Sequence, residues 1–571
     1  MRIALRAVML LALTVGCQSS STSTATAPAV PSPTSVPHGQ RLSTATIADP
    51  KTFNPVMVTD SASSAAIGDL FEPLVRLNPR TTEQEPFLAE RWEYNEAGTE
   101  CTFFLRRDVR WFDGKPLTAD DVLFTFDAIY DDRVPNSNKY TLTVDGKRIE
   151  VDAPDPYTVR LRLPRPFAPL INTIGVPILP KHILGESLAQ GTFAQQWGID
   201  TPPEKLIGTG PYRMARYTPA QYVQFRRNPD YWMKDDAGHP LPYLEEQTIR
   251  IVPNQDTMYL KFLSGETDIH NPRPEEVPDL RARVAALNIS VRETGLDTGS
   301  LFVTFNRNPR RYEKNGKRDP RLNWFTDKQF LRALAHSIDK QSMVTNCLFG
   351  FGAPAVADIS PENKLFYNPN LKDYDYNLDT ARAILTEAGY VDRDGDGVIE
   401  DATGNPVEFS LHTNSGNQVR EKMCSMLKED WTRLGIKVNY RPLDFTLLVE
   451  KLDTTFDWDA ILIGFTGGIE PHNGANLLRS NGNLHMWNPN QSTPATAWEA
   501  EVDRLVEEGS RELNVEKRRA IYWRIQDILH EELPMIQTVR QRQFTAYKNA
   551  LLNFEPTVWG VYRPELMRFA E

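Results

Sequence analysis

Asp392, Asp394 and Asp396 alternate with single residues, and Gly397 follows the third carboxylate at once. A calcium loop of the helix–loop–helix type needs oxygen ligands at its first, third and fifth positions, a glycine at the sixth and a backbone carbonyl at the seventh. Val398 supplies that carbonyl, Ile399 fills the apolar position after it, and Glu400 offers a fourth carboxylate. Thr403 stands where a bidentate glutamate belongs, and the stretch 405–413, NPVEFSLHT, reads as a strand, not a second helix. No cofactor is required by this pattern, and one reading of it is a structural calcium held by Asp392, Asp394, Asp396 and Glu400, clipping a helix to a strand. The competing reading is a tight surface turn, which also favours clustered Asp and Gly.

Other residue types capable of chemistry do not assemble into a catalytic pattern. No GxSxG elbow occurs, and in the His-Glu-Glu-Leu-Pro run from His530 a proline occupies the place of the second zincin histidine. The nine histidines are scattered, and His472 with His485 is the one nearby pair, which leaves a transition-metal or haem carrier as a secondary reading. Cysteines at 17, 101, 347 and 424 form no CxxC motif, so zinc is not expected. Once Cys17 is set aside, three remain, and at least one thiol must stay unpaired; buried, inert thiols are expected for all three.

Composition narrows the class further. With 571 residues, 40% of them hydrophobic, the chain is long enough for several cores, about three or four domains. Its net charge is −11, and the longest basic run is Lys517-Arg518-Arg519, so no stripe tracks a phosphate backbone and nucleic acid is not a partner. Arg2 and Arg6 precede an apolar run, Ala7 to Val15, that is too short to span a membrane and reads as an export signal. The LTVGC segment that closes it resembles the lipobox of bacterial lipoproteins, with Thr14 where that pattern usually has leucine, which implies lipidation at Cys17. Residues 18–40, rich in Ser, Thr, Ala and Pro, read as a solvated tether.

The elements that must position these residues are legible downstream. In 418–434, Val419, Met423, Met426, Leu427, Trp431 and Leu434 recur at helical spacing and Gly435 marks the stop. Ile436, Val438 and Tyr440 then alternate as in a strand, LLVEKLDTTF reads helical and WDAILIGF as a buried strand, which together make a β/α alternation. One helix is expected over FLRALAHSIDKQSMV, and another over DTARAILTEAGY ends at Gly389. By contrast, 92–163 is richer in strands, with a helix starting after Thr118 and a hairpin turn at Asp113-Gly114.

Four separated segments carry a resemblance. They are PFLAERWEYNEAGTECTFFLRRDVRWFDGKPLTADDVLFTFD at 86–127, GTGPYRMARY at 208–217 with RRNPDYW after it, QFLRALAHSIDKQSMV, and ARAILTEAGY through LGIKVNYRPLD to FDWDAILIGF. In order and spacing the chain is similar to the family 5 extracellular solute-binding proteins of bacterial ABC importers, which includes oligopeptide-, dipeptide- and nickel-binding members. The resemblance implies an α/β, periplasmic-binding-protein type II-like fold of two lobes with an additional domain: lobe I from 41–78, 203–297 and 532–571, the additional domain at 79–202, and lobe II at 298–531. It further implies a lipid-anchored extracytoplasmic protein, not an enzyme, that captures a peptide-like solute in an interlobe cleft and passes it to a permease with its ATPase subunits.

In the family's peptide binders the strand equivalent to WDAILIGF runs into a segment like Gly-Trp-Thr-Gly-Asp, whose aspartate pairs with the ligand's α-amino group. Here Phe465 stands for the tryptophan, Thr466 and Gly467 match, and Gly468 takes the place of the aspartate. Two readings remain open: Glu470 supplies the carboxylate from nearby, or the ligand has no free α-amine. His472, Asn473 and Trp487 belong to a polar and aromatic run of the kind that lines clefts, and Phe53 and Asn54 match a family position at the cleft edge of lobe I.

Overall fold

The computed structural model describes residues 40–570, apart from 315. The expected export signal, Cys17 and the expected tether up to 39 lie outside the described residues.

One body is built on a five-stranded sheet in the spatial order Lys437–Leu443, Glu408–Asn414, Ala460–Phe465, Ser300–Phe305, Met535–Gln537. The first three strands are mutually parallel, and Ser300–Phe305 runs antiparallel to both of its neighbours. Parallel neighbours require a crossover, which here is the helix Gln418–Arg433. Asn417 caps its start by accepting from the Arg420 amide, and Gly435 ends it at φ +82°, where a Cβ would meet the Ile399 side chain at 2.9 Å. Met423, Leu427, Trp431 and Leu434 turn inward to the core, as the spacing predicts, while Val419 and Met426 are half-buried against it and Cys424 joins the core beside them.

The helix expected over FLRALAHSIDKQSMV is two helices, Lys328–His336 and Lys340–Cys347. Asp339 separates them: its side chain accepts from the Ser342 amide and starts the second helix, a local bond that competes with continuing the first. The strand Met535–Gln537 pairs with Phe302–Thr304, so the chain leaves this body near 538, several residues beyond the 531/532 boundary expected from sequence.

A second body holds two four-stranded sheets. In one, Arg41–Thr46 lies parallel to Glu246–Ile251, followed by Tyr222–Arg227 and Tyr212–Thr218; in the other, Ala89–Tyr94, Glu100–Leu105, Thr158–Arg162 and Glu150–Asp155 form an antiparallel meander-like layer. The helix Ala119–Tyr130 packs on the latter, begun by a reciprocal Thr118/Asp121 capping box. A continuous apolar cluster runs from Leu42 and Phe53 through Phe103 and Leu161 to Val223 and Phe569, so 79–202 shares a core with the rest of this body. Gly208 and Gly210 are needed because Cβ atoms there would lie 1.9 and 2.2 Å from the Leu70 and Asp69 carbonyl oxygens.

The bodies are joined by two adjacent crossings, one at 296–300 and one at 537–539. Beside them, the long strand Val539–Lys548 pairs with Ile289–Leu296 and with Gly352–Pro354. Cys101, Cys347 and Cys424 are all buried and unpaired.

Candidate functional site

Because three strands of the five-stranded sheet are parallel, their carboxyl ends, Leu443, Asn414 and Phe465, lie along one edge. Ser300, at the start of the antiparallel strand, is paired with Phe465 at that same edge. Crevices outside the carboxyl ends of such strands are where α/β sheets bind ligands. A cavity of about 330 Å³ sits there, lined by Ser300, Leu301, Asn417, Arg420, Phe465, Thr466 and Arg540 among others.

The loop that follows Phe465 is held closely against the crossing between the bodies. A Cβ on Gly467 would stand 1.8 Å from the Thr298 carbonyl oxygen, so only glycine fits. Phe465 and Thr466 line the cavity, and the Phe465 ring packs against Phe302 at 5.7 Å. Gly468 has free space: an added Cβ would meet only the Asn473 amide nitrogen at 3.8 Å.

Charge in the cavity comes mainly from two arginines in different situations. Arg540 is 3% exposed, and its Nη2 donates to the carbonyls of Ala357 (2.8 Å) and Asp358 (2.6 Å); burial pushes its pKa down to about 10. Arg420 is half-buried, its Nη1 donates to Asn414 Oδ1 at 2.8 Å, and it has no carboxylate partner among the described residues. Burial lowers its pKa. It sits in the first turn of its helix, where a cation opposes the helix dipole. Sequence reasoning passed over Arg420 as one more helix residue, although that unfavourable position was a readable signal. Asp297, also at the cavity, accepts from the Gly299 amide at 2.9 Å and from Gln543 Nε2 at 3.2 Å.

Glu470 is placed differently from the remaining expected site residues. It is 3% exposed, and Arg518 donates to both carboxylate oxygens, Nη1 to Oε2 at 2.9 Å and Nη2 to Oε1. Asn172 of the other body donates to Oε2 at 3.3 Å, and the His472 amide donates to Oε1 at 2.8 Å. An acceptor so fully engaged offers no open carboxylate to an amine. His472 and Asn473 line a separate cavity of about 240 Å³ between the bodies, shared with Tyr140, Thr173 and Arg479. Burial, then Arg479, Arg518 and Arg165, push the His472 pKa down to about 3, so the ring is neutral.

Trp487 is fully buried, its Nε1 donating to Glu499 at 3.2 Å, and it lies in the core instead of along a cleft. His485 is likewise buried with both ring nitrogens engaged, by the Leu477 carbonyl and Glu499, so it does not pair with His472 around a metal. Phe53 and Asn54 are also fully buried: the Phe53 amide donates to the Trp197 carbonyl at 2.8 Å, and its ring stands edge-on to Tyr217.

One carboxylate oxygen from each of Asp392, Asp394, Asp396 and Glu400 lies within 4.8 Å of the other three. Asp392 accepts from the amides of Gly395 and Gly397, Asp396 from Val398, and buried Glu400 from Arg393. A bridge between Val391 and Glu400 closes the loop at its base.

A two-body α/β architecture with a cavity at the carboxyl edge of one sheet defines a class of ligand-binding protein, and comparison with known proteins specifies it. The model for "Bacterial extracellular solute-binding proteins, family 5 Middle" matches residues 83–485, and the chain belongs to this family. It is 28% identical to the "Probable ABC transporter-binding protein" of Deinococcus radiodurans over 94% of this chain and 93% of that one. It is 28% identical to "Oligopeptide-binding protein AppA" of Bacillus subtilis over 75% and 74% respectively. Among solved structures, AppA of B. subtilis in complex with a nonapeptide superposes with a TM-score of 0.71 at 23% identity, covering 93% of this chain and 99% of that one. NikA from Brucella suis in complex with Fe(III)-EDTA gives 0.76 at 21%, covering 93% and 100%. These likenesses fix the fold as the type II binding-protein architecture.

Proposed function

We propose that this protein is the capture component of an ABC importer, that its solute is peptide-like, and that it presents this solute to a membrane permease with its ATPase subunits. The observation that carries the reading is Arg420: a half-desolvated guanidinium without an acidic partner among the described residues, facing a cavity of about 330 Å³ beside Asn417, Phe465 and Thr466. Leaving a charge partly buried and unmatched is costly, and a ligand carboxylate removes the cost. Relatives named as peptide binders support the solute class. Gly468 leaves the expected amine anchor absent, so recognition centres on the acid end of the solute.

Lipid anchoring through Cys17 and an extracytoplasmic location complete the proposal; they rest on the leader sequence and on the family. Among the described residues no helix is long and apolar enough to cross a membrane.

A thermal-shift panel of di- to nonapeptides, C-terminally amidated peptides, oligosaccharides, nickel and haem tests this. Free-acid peptides are expected to raise the melting temperature, and both amidation and Arg420→Gln to abolish the rise. Stabilisation by oligosaccharide, nickel or haem alone would overturn the peptide reading.

A further inference from the structure

Glu470 belongs to a band of contacts between the two bodies, distinct from the ligand cavity. On one side are residues 165–173, which leave the strand Thr158–Arg162 and end in the short helix Leu170–Thr173. On the other are the turn Glu470–Gly474 and the segment where the helices Ala497–Arg511 and Val515–Glu532 meet. The Ala168 amide donates to the Ser510 carbonyl at 2.8 Å, Arg165 Nη2 pairs with Glu507 at 2.8 Å, and the Phe167 ring stands edge-on to His472 at 5.4 Å. At the centre, the Asn172 amide reaches Glu470 Oε2, while Gln84 Nε2 donates to Asn172 Oδ1 at 3.2 Å and fixes that amide's orientation.

Within its own body, Glu470 is rigidly placed. Arg518 holds the carboxylate and donates through Nε to the Gly509 carbonyl at 2.7 Å, with the rings of Phe366 and Tyr522 alongside. Between Phe465 in the cavity and Glu470 at the interface, the loop has further fixed points: Gly467 against Thr298, and Asn363 Nδ2 donating to the Ile469 carbonyl at 2.8 Å. A short, pinned segment therefore ties the wall of the ligand cavity to the contact between the bodies.

We infer that Asn172, Glu470 and Arg518 form a latch that sets how readily the two bodies part, so that Glu470 is a closure residue instead of a ligand residue. Arg518 holds the carboxylate in place through two hydrogen bonds, Glu470 presents it, and Asn172 is the donor from across the interface. Opening the bodies removes that donor from a buried carboxylate, and a ligand that stabilises the 465–470 segment raises the cost of opening.

Asn172→Asp tests the latch without touching the cavity or the Glu470–Arg518 pair, because it sets a second carboxylate against Glu470. Spin labels on Cys replacing exposed Glu96 and Lys517, one on each body, report the separation by pulsed electron resonance; Cys101, Cys347 and Cys424 are buried. In ligand-free protein, Asn172→Asp is expected to shift the distance distribution to longer values and populate the open form about fivefold or more over the parent. Asn172→Ala, which removes the donor without adding charge, gives a smaller shift in the same direction. Distributions identical to the parent in both variants would overturn the latch, whatever the solute proves to be.

Discussion

Arg518 and Glu470 are 48 residues apart in sequence and share two hydrogen bonds in a setting where both side chains are under 10% exposed. The pair explains why a carboxylate next to the expected ligand segment is unavailable to ligand. It also makes a stability prediction, since losing one member of a buried pair strands the other. Arg518→Ala is expected to destabilise the protein by about 3–5 kcal/mol in urea or thermal unfolding, whereas the double replacement Arg518→Met with Glu470→Leu recovers most of the loss. A single variant within experimental error of the parent would contradict the pairing.

Gly468 invites a gain of recognition. Its position has room for a Cβ and no positive φ to forbid one. Gly468→Asp restores a carboxylate where the family's peptide binders have one, so affinity for peptides with a free amine is expected to rise about tenfold over N-acetylated counterparts. Calorimetry with matched free and acetylated peptides measures the ratio, and a ratio unchanged from the parent would show that the position does not face the ligand.

The acidic loop makes a metal-dependent prediction. Four carboxylates within 4.8 Å repel one another, and a divalent cation relieves that repulsion. On the calcium reading, adding calcium to EDTA-stripped protein raises its melting temperature, and Asp394→Asn abolishes the rise without lowering metal-free stability. Absence of both a melting shift and a calorimetric heat at millimolar calcium would leave the loop as a turn held by its own amides.

Glu72 provides a pH signature. It is 3% exposed, and burial pushes its carboxyl up to about 7 in spite of donors on Tyr231, Thr209 and Trp232. A folded-state value above the unfolded one means that the native protein binds the proton more tightly. Its contribution to stability is therefore complete below about pH 4.5 and is lost as pH rises toward 7. Glu72→Gln is expected to flatten that part of the stability profile, measured by urea unfolding between pH 4.5 and 7.

Much of the scaffold was legible because it follows local rules. The 418–434 helix, its glycine stop, the strand after it and the Thr118 start are each written in a few neighbouring residues. Interruption by Asp339 was hidden, since an aspartate inside a helical pattern is readable as surface until its cap partner is seen. The site was less legible for a different reason. Phe465 and Thr466 were singled out by the resemblance to the family's ligand segment and line the cavity, but Trp487, His485 and Glu470 share the composition of cleft residues and are removed from the cleft by partners up to 48 positions away. Arg420 shows the converse: nothing marks it but a cation at the wrong end of a helix, and its meaning appears only when Gly464 and Asn414 place it beside an empty volume.

The two crossings between the bodies run side by side, with Leu296 opposite Arg542 on one flank and Phe302 opposite Gln537 on the other. A single strand would act as a swivel; two neighbouring ones resist twisting and sliding and leave bending as the soft coordinate. Relative motion is thereby reduced to one angle, like a door on two pins. With one angle to control, a small group such as one amide on one carboxylate across the interface is enough to bias the whole swing.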